Sequence, residues 1–328
     1  MTYKHSFLAV ALVAISAISL SAQNVPTDQA IKKLKWRAIG PANMGGRVTD
    51  IVGVPGDPST FYVGGADGGV FKTTNGGVTF ESLFTDQRAY SVGALALAPS
   101  NTEVVWLGSG EGDPRNSVGY GNGVYRSVDG GASWKHLGLD NTERIKRIVV
   151  DPTNPDVACV CALGHEWGAN PERGVFRTQD GGKNWEKVLY LDEDTGCSDM
   201  AMELSNPNVL YAGMWTFRRK PWRFDDGGGK TAVYRSLDGG KTWEKIMKGL
   251  PNKPMARIGL SVAQSQPNTV FLITEFKDLS GTLFRSDNRG SNWTMVNDDP
   301  NLNFRPFYYS DVRVDPSNPN NLFTLSGR

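Results

Sequence analysis

Tyr234-Arg235-Ser236-Leu237-Asp238-Gly239-Gly240-Lys241-Thr242-Trp243 is one of five near-copies of a single ten-residue pattern. The others read FKTTNGGVTF from Phe71, YRSVDGGASW from Tyr125, FRTQDGGKNW from Phe176 and FRSDNRGSNW from Phe284. In each, a strand of aromatic, basic and hydroxyl residues runs into a Gly-rich turn opened by Asp or Asn, and a second strand starts at Trp or Phe, which is the signature of a β-hairpin. The hydroxyl residues Thr73, Ser127, Thr178, Ser236 and Ser286 stand 54, 51, 58 and 50 positions apart. A regular period of this length points to a propeller or a solenoid.

The recurring residues have structural roles. Asn75, Asp129, Asp180, Asp238 and Asn288 are expected to accept backbone N–H bonds two residues on, and the glycines after them tolerate positive φ. Phe80, Trp134, Trp185, Trp243 and Trp293 are large enough to fill the wedge between neighbouring sheets, each burying ~150–250 Å². Five identical carboxylates are not what catalysis needs, and local side-chain-to-backbone bonding already accounts for the residue type.

Two earlier strands precede each hairpin. SVGALALAP and EVVWLGSG come before Tyr125, RIKRIVVDP and DVACVCALG before Phe176, DMAMELS and VLYAGMW before Tyr234, and IGLSVAQ and TVFLITEF before Phe284. Four antiparallel strands per period make a propeller blade with its most apolar strand innermost. The expected fold is therefore all-β, a β-propeller with blades at about 46–83, 90–138, 145–190, 198–248 and 256–297 and a partial sixth at 308–328. A sixth hairpin would fall beyond Arg328, so the chain reads as the N-terminal part of a longer one whose remaining blades would be its partners. The stretch from Lys35 to Gly40 would be an outer strand for the last of them.

The pattern S/T-x-D/N-G-G-x-T/S/N-W/F resembles the Asp box of BNR-repeat propellers. From Trp36 to Arg328 the chain is similar to the N-terminal part of the bacterial sortilin N-terminal domain family. The residues that carry this likeness are GPANMGGRVTDI, GGADGGVFKTTNGG, GSGEGDPRNS, ALGHEWGANPERGVFRTQDGG, RRKPW and RPFYYSDVRVDPSNP. That resemblance implies recognition of a peptide or protein. Ala66-Asp67-Gly68-Gly69-Val70-Phe71-Lys72 also resembles the first-blade motif T-D-x-G-G-x-Y-R of glycoside hydrolase family 74 xyloglucanases, in which the aspartate is a catalytic carboxylate. Here one residue is missing between Asp and Gly-Gly, and Lys72 stands where that motif has Arg. Inverting hydrolysis needs two carboxyls roughly 6.5–9.5 Å apart. If Asp67 is a general base, its partner lies outside this chain or is an unrecognised residue such as Glu111.

Residues 1–22 carry Lys4 and His5, an apolar run from Phe7 to Leu20, and then Ser21 and Ala22. The run is too short to span a bilayer and reads as a cleaved secretory signal, followed by a linker at 23–34. The expected location is the periplasm, the cell surface or the exterior. Charged residues are 21% and the net charge is +1, which gives no electrostatic case for nucleic acid or an anionic membrane. The 38 glycines and 18 prolines suit an array of tight turns. Cys159 and Cys161 share one face of a strand and cannot easily bond each other. Cys197 could pair with either, but buried free thiols are the expectation. The loose Cys-x-Cys-x₃-His set ending at His165 departs from zinc spacings, so no metal or other cofactor is expected.

Hairpin turns and strand 1–2 turns should share one face of the wheel, leaving the strand 2–3 and inter-blade connections on the other. Several of the latter are long: 108–123, 163–174, 214–232 and 297–311. Long loops on a rigid scaffold commonly carry binding residues. The candidates are Asp67, Glu111, Asp113, Arg115 and Asn116, then His165, Glu166 and Trp167. Trp215, Arg218, Arg219, Trp222 and Arg223 follow, and then Arg305, Phe307, Tyr308 and Tyr309. Aromatic planes beside arginines and carboxylates suit sugars or extended peptides; the same side chains could instead pack together and cap the blade ends. The leading expectation is a binding or scaffold propeller for a peptide, protein or glycan. The alternative is a polysaccharide hydrolase using Asp67.

Overall fold

The computed structural model describes residues 46–327; the signal, linker and Lys35 strand readings lie outside them. The described chain is all-β, built of antiparallel sheets consistent with propeller blades. The first sheet comprises Val48–Val54, Asp57–Gly65, Gly69–Thr73 and Glu81–Ser82, and the second Val92–Ala98, Asn101–Ser109, Val124–Ser127 and Lys135–His136. The third holds Ile145–Val150, Ala158–Ala162, Gly174–Thr178 and Glu186–Leu189. In the fourth, Thr195–Met202, Leu210–Lys220, Ala232–Ser236 and Glu244–Lys245 are joined by an extra strand, Arg223–Asp226. Gly259–Val262, Val270–Phe276, Leu279–Ser286 and Thr294–Asn297 form the fifth, and Asp311–Asp315 pairs with Asn318–Leu325 in the last.

The first strand of each sheet packs on the first strand of the next. These inner strands are knitted by side chains. Thr49 Oγ1 donates to the Val92 carbonyl at 2.7 Å, Asp50 Oδ2 accepts from Leu95 N at 3.0 Å, and Asp199 Oδ2 accepts from Leu260 N at 2.9 Å. At the axis lies Arg147, on the inner strand of the third sheet. It reaches Asp199 at 2.9 Å, Asp50 at 3.6 Å and Asp311 at 3.8 Å, so sheets one, four and six converge on one guanidinium. Sheets stacked along a line could not meet in this way. Burial opposes its charge, but the three carboxylates more than offset that and hold Arg147 above the usual arginine range.

The hairpins show why five copies were kept. In each turn the Ser or Thr hydroxyl, two residues before the Asp or Asn, donates to that side chain, and it accepts from the second turn residue after it: Gly77, Gly131, Gly182, Gly240 or Gly290, at 2.8–3.0 Å. The Asp or Asn oxygen accepts from the backbone N–H four residues on, at 2.9–3.0 Å, rather than two residues on as expected from isolated Asx turns. The first turn residue after the acid or amide donates its N–H to the strand 1–2 turn of the same sheet, as Gly130 does to the Glu103 carbonyl at 2.9 Å. Both kinds of turn thus lie on one face. In the fifth copy this position is Arg289, at φ 54°. Its guanidinium is gripped by the buried Glu203 at 3.1 Å on two nitrogens, which offsets the left-handed strain.

The aromatic that follows each turn reaches back to the preceding sheet. Trp134 Nε1 donates to Leu83 O at 2.8 Å, Trp185 Nε1 to Leu137 O at 2.9 Å, and Trp293 Nε1 to Ile246 O at 3.0 Å. Trp243 bonds its own turn, at Gly240 O, instead. Phe80 has no sheet before it among the described residues and is 49% exposed.

The cysteine expectation is corrected. Cys161, on the second strand of the third sheet, is bonded to Cys197, on the inner strand of the fourth, with Cα atoms 5.0 Å apart; Cys159 stays a buried thiol. Packing the faces of adjacent sheets supplies a proximity that strand alternation alone cannot reveal. The 214–232 segment, expected as an irregular loop, is largely a β-hairpin. The second strand runs on to Lys220 and pairs with Arg223–Asp226, because Trp215 and Phe217 alternate inward onto an aromatic cluster.

If the aromatic wedge couples neighbouring sheets, Trp293→Ala should lower stability by about 3–5 kcal/mol in urea unfolding. Phe80→Ala should cost about 1 kcal/mol or less, and equal losses would remove the wedge account. Acid should loosen the turns. Hydrogen bonds from Ser127 and Ser133 depress Asp129 to about 2, and those from Asn184 and Thr178 depress Asp180 to about 2. An unfolded aspartate titrates near ~3.9. The turn contribution is therefore complete above about pH 4 and is lost as pH falls through about 2. Melting temperatures measured between those limits should drop in the wild type and drop less in Asp129→Asn.

Candidate functional site

The face opposite the Asp-box turns carries the longer connections, and its centre is a web of buried ion pairs. Arg47, just before the first strand, grips Glu111 through Nε at 2.9 Å and Nη2 at 2.7 Å. The same Nη2 lies 3.4 Å from Asp67 and donates to Ser117 O at 3.2 Å. Glu111 is fully buried; its backbone N–H donates to Ser91 Oγ, and Tyr308 Oη approaches Oε1 at 3.4 Å. Asp113, two residues on, accepts from Lys146 at 2.8 Å and Arg257 at 2.6 Å. Burial tends to raise the Asp113 carboxyl, but the two cations prevail and hold it below the usual range. Arg257 also donates to the carbonyls of Phe307 and Tyr308 at 2.9 and 2.7 Å. One carboxylate therefore ties together connections from the second, third, fifth and sixth sheets.

Glu166 is a second focus. It is fully buried between Arg144 at 3.3 Å and Arg219 at 3.5 Å, and neither carboxyl oxygen has a hydrogen-bond donor. Burial raises it to about 7 against the pull of the two arginines. Arg173 holds the same loop by donating to the carbonyls of Leu163 at 3.1 Å, His165 at 2.5 Å and Gly168 at 2.8 Å. Burial, with Arg218 and Arg144 nearby, lowers Arg173 to about 10. Beside it, burial pushes Asp226 up to about 6 although Trp215 Nε1 donates to it at 3.0 Å.

Several sequence candidates are therefore structural in their placement. Trp215, expected at a ligand surface, is fully buried and stacks on Phe217 with ring centroids 4.6 Å apart. Glu111 and Glu166 are buried among cations and offer no free carboxylate. Arg218 pairs with Asp194, and Arg219 donates to Asn116. His165 Nε2 lies 3.7 Å from Glu143. Arg115 sits over the Tyr308 ring at 5.9 Å, and Arg305, at φ 61°, over Phe307 and Tyr308. Long side chains on loops that cross a blade end find one another before they find solvent.

Asn116, Arg223 and Arg305 stay exposed, and so do a carboxylate and several rings. The Asp67 carboxylate is 57% exposed beside Arg47. Trp222 is 80% exposed, and Trp167, Tyr120 and Tyr90 also face solvent. A cleft of about 270 Å³ opens at the centre, lined by Arg47, Asp113, Lys146, Tyr308, Tyr309 and Asp311 among others. Sequence reasoning missed Arg47, Lys146, Arg144, Arg173 and Arg257, and for two of them a signal was available. Lys146 and Arg257 interrupt runs such as RIKRIVV and MARIGL, whose apolar character marks inner strands, and a buried cation there requires a carboxylate opposite. Among the described residues, no group of three or more His, Cys, Asp or Glu could hold a metal ion. No helix among them is long and apolar enough to cross a membrane.

A BNR/Asp-box repeat model matches residues 234–245, the fourth hairpin. A xyloglucanase of Paenibacillus sp is 24% identical over 351 residues, covering 98% of this chain and 33% of the relative. A xyloglucanase of Acetivibrio thermocellus is 27% identical over 143 residues, covering 41% of this chain and 16% of the relative. The chain thus spans a third or less of the length of these curated relatives. Among solved structures, a GH74 enzyme of Niastella koreensis aligns with a TM-score of 0.65 at 20% identity, covering 85% of this chain and 44% of that one. A GH74 xyloglucanase from Xanthomonas campestris aligns with a TM-score of 0.60 at 18% identity, with the same coverages. At these identities the likeness is one of fold.

A buried Glu166 whose folded pKa stands near 7 favours the protonated protein, so its contribution to stability should decline as pH rises from about 4.3, the unfolded glutamate value, to about 7. Above that the penalty is constant. Glu166→Gln should flatten this part of a melting-temperature profile and raise the value at pH 8; an unchanged slope would show that Glu166 ionises freely.

Proposed function

We propose that this protein is an exported β-propeller that recognises a polysaccharide across its long-loop face. The observation that carries the reading is the division on that face between a buried web of paired charges and an exposed set of aromatic rings with the accessible Asp67 carboxylate. Flat apolar rings with a polar edge suit pyranose faces, and a web that satisfies its own charges leaves little to attract a polyanion. The xyloglucanase relatives support a glycan of the β-glucan class as occupant. The sortilin-type resemblance favours a peptide or protein instead, which the same experiment tests.

A second reading, hydrolysis with Asp67 as base, is favoured by the exposure of that carboxylate and its position beside Arg47. Its weak point is the partner. Glu111 lies close, since both carboxylates touch the same guanidinium nitrogen, but it is buried and held by two charge-assisted bonds. The second carboxyl would have to come from outside this set of residues.

The intact protein should be retained in gels containing soluble β-glucan, including xyloglucan, and not in gels containing an unrelated peptide polymer. If it also hydrolyses them, Asp67→Ala should cut the release of reducing ends by about 10²–10⁴-fold and leave retention intact. Absence of both retention and release on every β-glucan would overturn the polysaccharide reading.

A further inference from the structure

We propose that the hairpin continuing the fourth sheet, residues 214–226, is a rigid arm whose tip, Trp222, is a stacking platform for an uncharged glycan. This rests on the polysaccharide reading and narrows it to one element and one ligand chemistry.

The base of the arm is packed into the protein. Trp215 and Phe217 are stacked and buried, Phe224 from the returning strand packs edge-on to Trp215 at 6.1 Å, and Phe307 from the last connection meets Phe224 at 5.3 Å. Four backbone-paired positions, from Phe217–Asp226 to Lys220–Arg223, close the hairpin. The arm is also pinned from the side. Arg219 N donates to Glu166 O at 3.2 Å in the third sheet's loop, and its guanidinium donates to Asn116 of the second sheet's loop. The arm is therefore tied to the loops beside it, and Trp222 lies in the two-residue turn that closes the hairpin, between the paired Lys220 and Arg223.

An indole left 80% exposed on so anchored a support contributes nothing to the core. Exposed tryptophans held rigidly are the usual anchors of recognition surfaces. Trp167, also exposed, lies one residue past the same junction.

Charge decides between ligands. The arm is rich in cations, which by sequence alone would suggest an acidic partner, yet each lies against an acid of the protein. Arg218 faces Asp194, Arg219 faces Glu166, and Lys220 and Arg223 share Asp225 at 3.5 and 2.5 Å. Such pairs hold the hairpin in shape and reduce the field it presents to an anion. What the tip offers is an aromatic plane, which suits the C–H face of a neutral sugar ring.

Affinity electrophoresis of the intact protein would test this, with hydroxyethylcellulose as the neutral probe and polyglutamate as the acidic one. Hydroxyethylcellulose should retard the wild type, and raising NaCl from about 0.05 to about 0.5 M should leave that retardation unchanged. Trp222→Ala should weaken it about tenfold, and Trp222→Phe should keep most of it. Because Trp222 is solvent-exposed, melting curves of the variants should superpose on the wild type, which separates lost binding from lost folding. Retention by hydroxyethylcellulose that Trp222→Ala does not alter would overturn the arm while sparing the polysaccharide reading. Salt-sensitive retention by polyglutamate alone would overturn the neutral-ligand assignment, and retention by neither polymer would overturn the arm, while the polysaccharide reading falls only if every β-glucan fails as well.

Discussion

A sheet of four short strands cannot bury both of its faces by itself, and this protein solves the problem with an aromatic that belongs to one sheet and bonds the next. Trp134, Trp185 and Trp293 each place an indole N–H on a carbonyl of the preceding sheet's last strand. The bond needs the ring at a fixed height and angle. The Asp-box turn supplies that: a hydroxyl, a carboxylate or amide and two left-handed residues satisfy one another's hydrogen bonds within ten residues. A turn that closes itself can be copied, and a copied turn with a projecting ring propagates sheet after sheet about an axis. Arg147 and its three carboxylates do the corresponding work at the centre, where inner strands approach too closely for large side chains.

One consequence is a separation of roles between the faces. The Asp-box face is committed to turn chemistry, and its aspartates have carboxyls depressed by local donors, which suits them to accept hydrogen bonds and not to move protons. The opposite face has connections free to vary in length. There the ends of several inner strands bring arginines, lysines and acids into one low-dielectric region, where an unpaired charge would be costly. The outcome is pairing: Asp113 with Lys146 and Arg257, Glu111 with Arg47, and Glu166, raised by burial, between Arg144 and Arg219. Recognition on this face falls to the groups that stay exposed, among them the solvent-facing aromatics.

This division also explains why a list of polar loop residues misleads. Glu111, Glu166 and Trp215 have the residue types expected of a binding site, and all three are buried. Trp167 and Trp222 have the same type and are exposed. Nothing in their local sequence separates the two groups, because burial on this face depends on which loop lies over which. The Glu166–Arg219 and Asn116–Arg219 contacts join segments from three different sheets.

By itself the sequence determined what is local and repeated. The hairpins, their spacing, the alternation of the strands and the all-β class follow from turn chemistry and side-chain period, which act over a few residues and recur five times. The tertiary structure alone decided what depends on neighbours. It joined Cys161 to Cys197, turned the 214–226 segment into an arm, placed Arg147 where three sheets meet, and chose which carboxylates, such as Glu111 and Glu166, would be buried and which, such as Asp67, would face water. Those outcomes are set by desolvation and packing between sheets some fifty residues apart in the chain, distances at which a linear pattern carries no record of who meets whom.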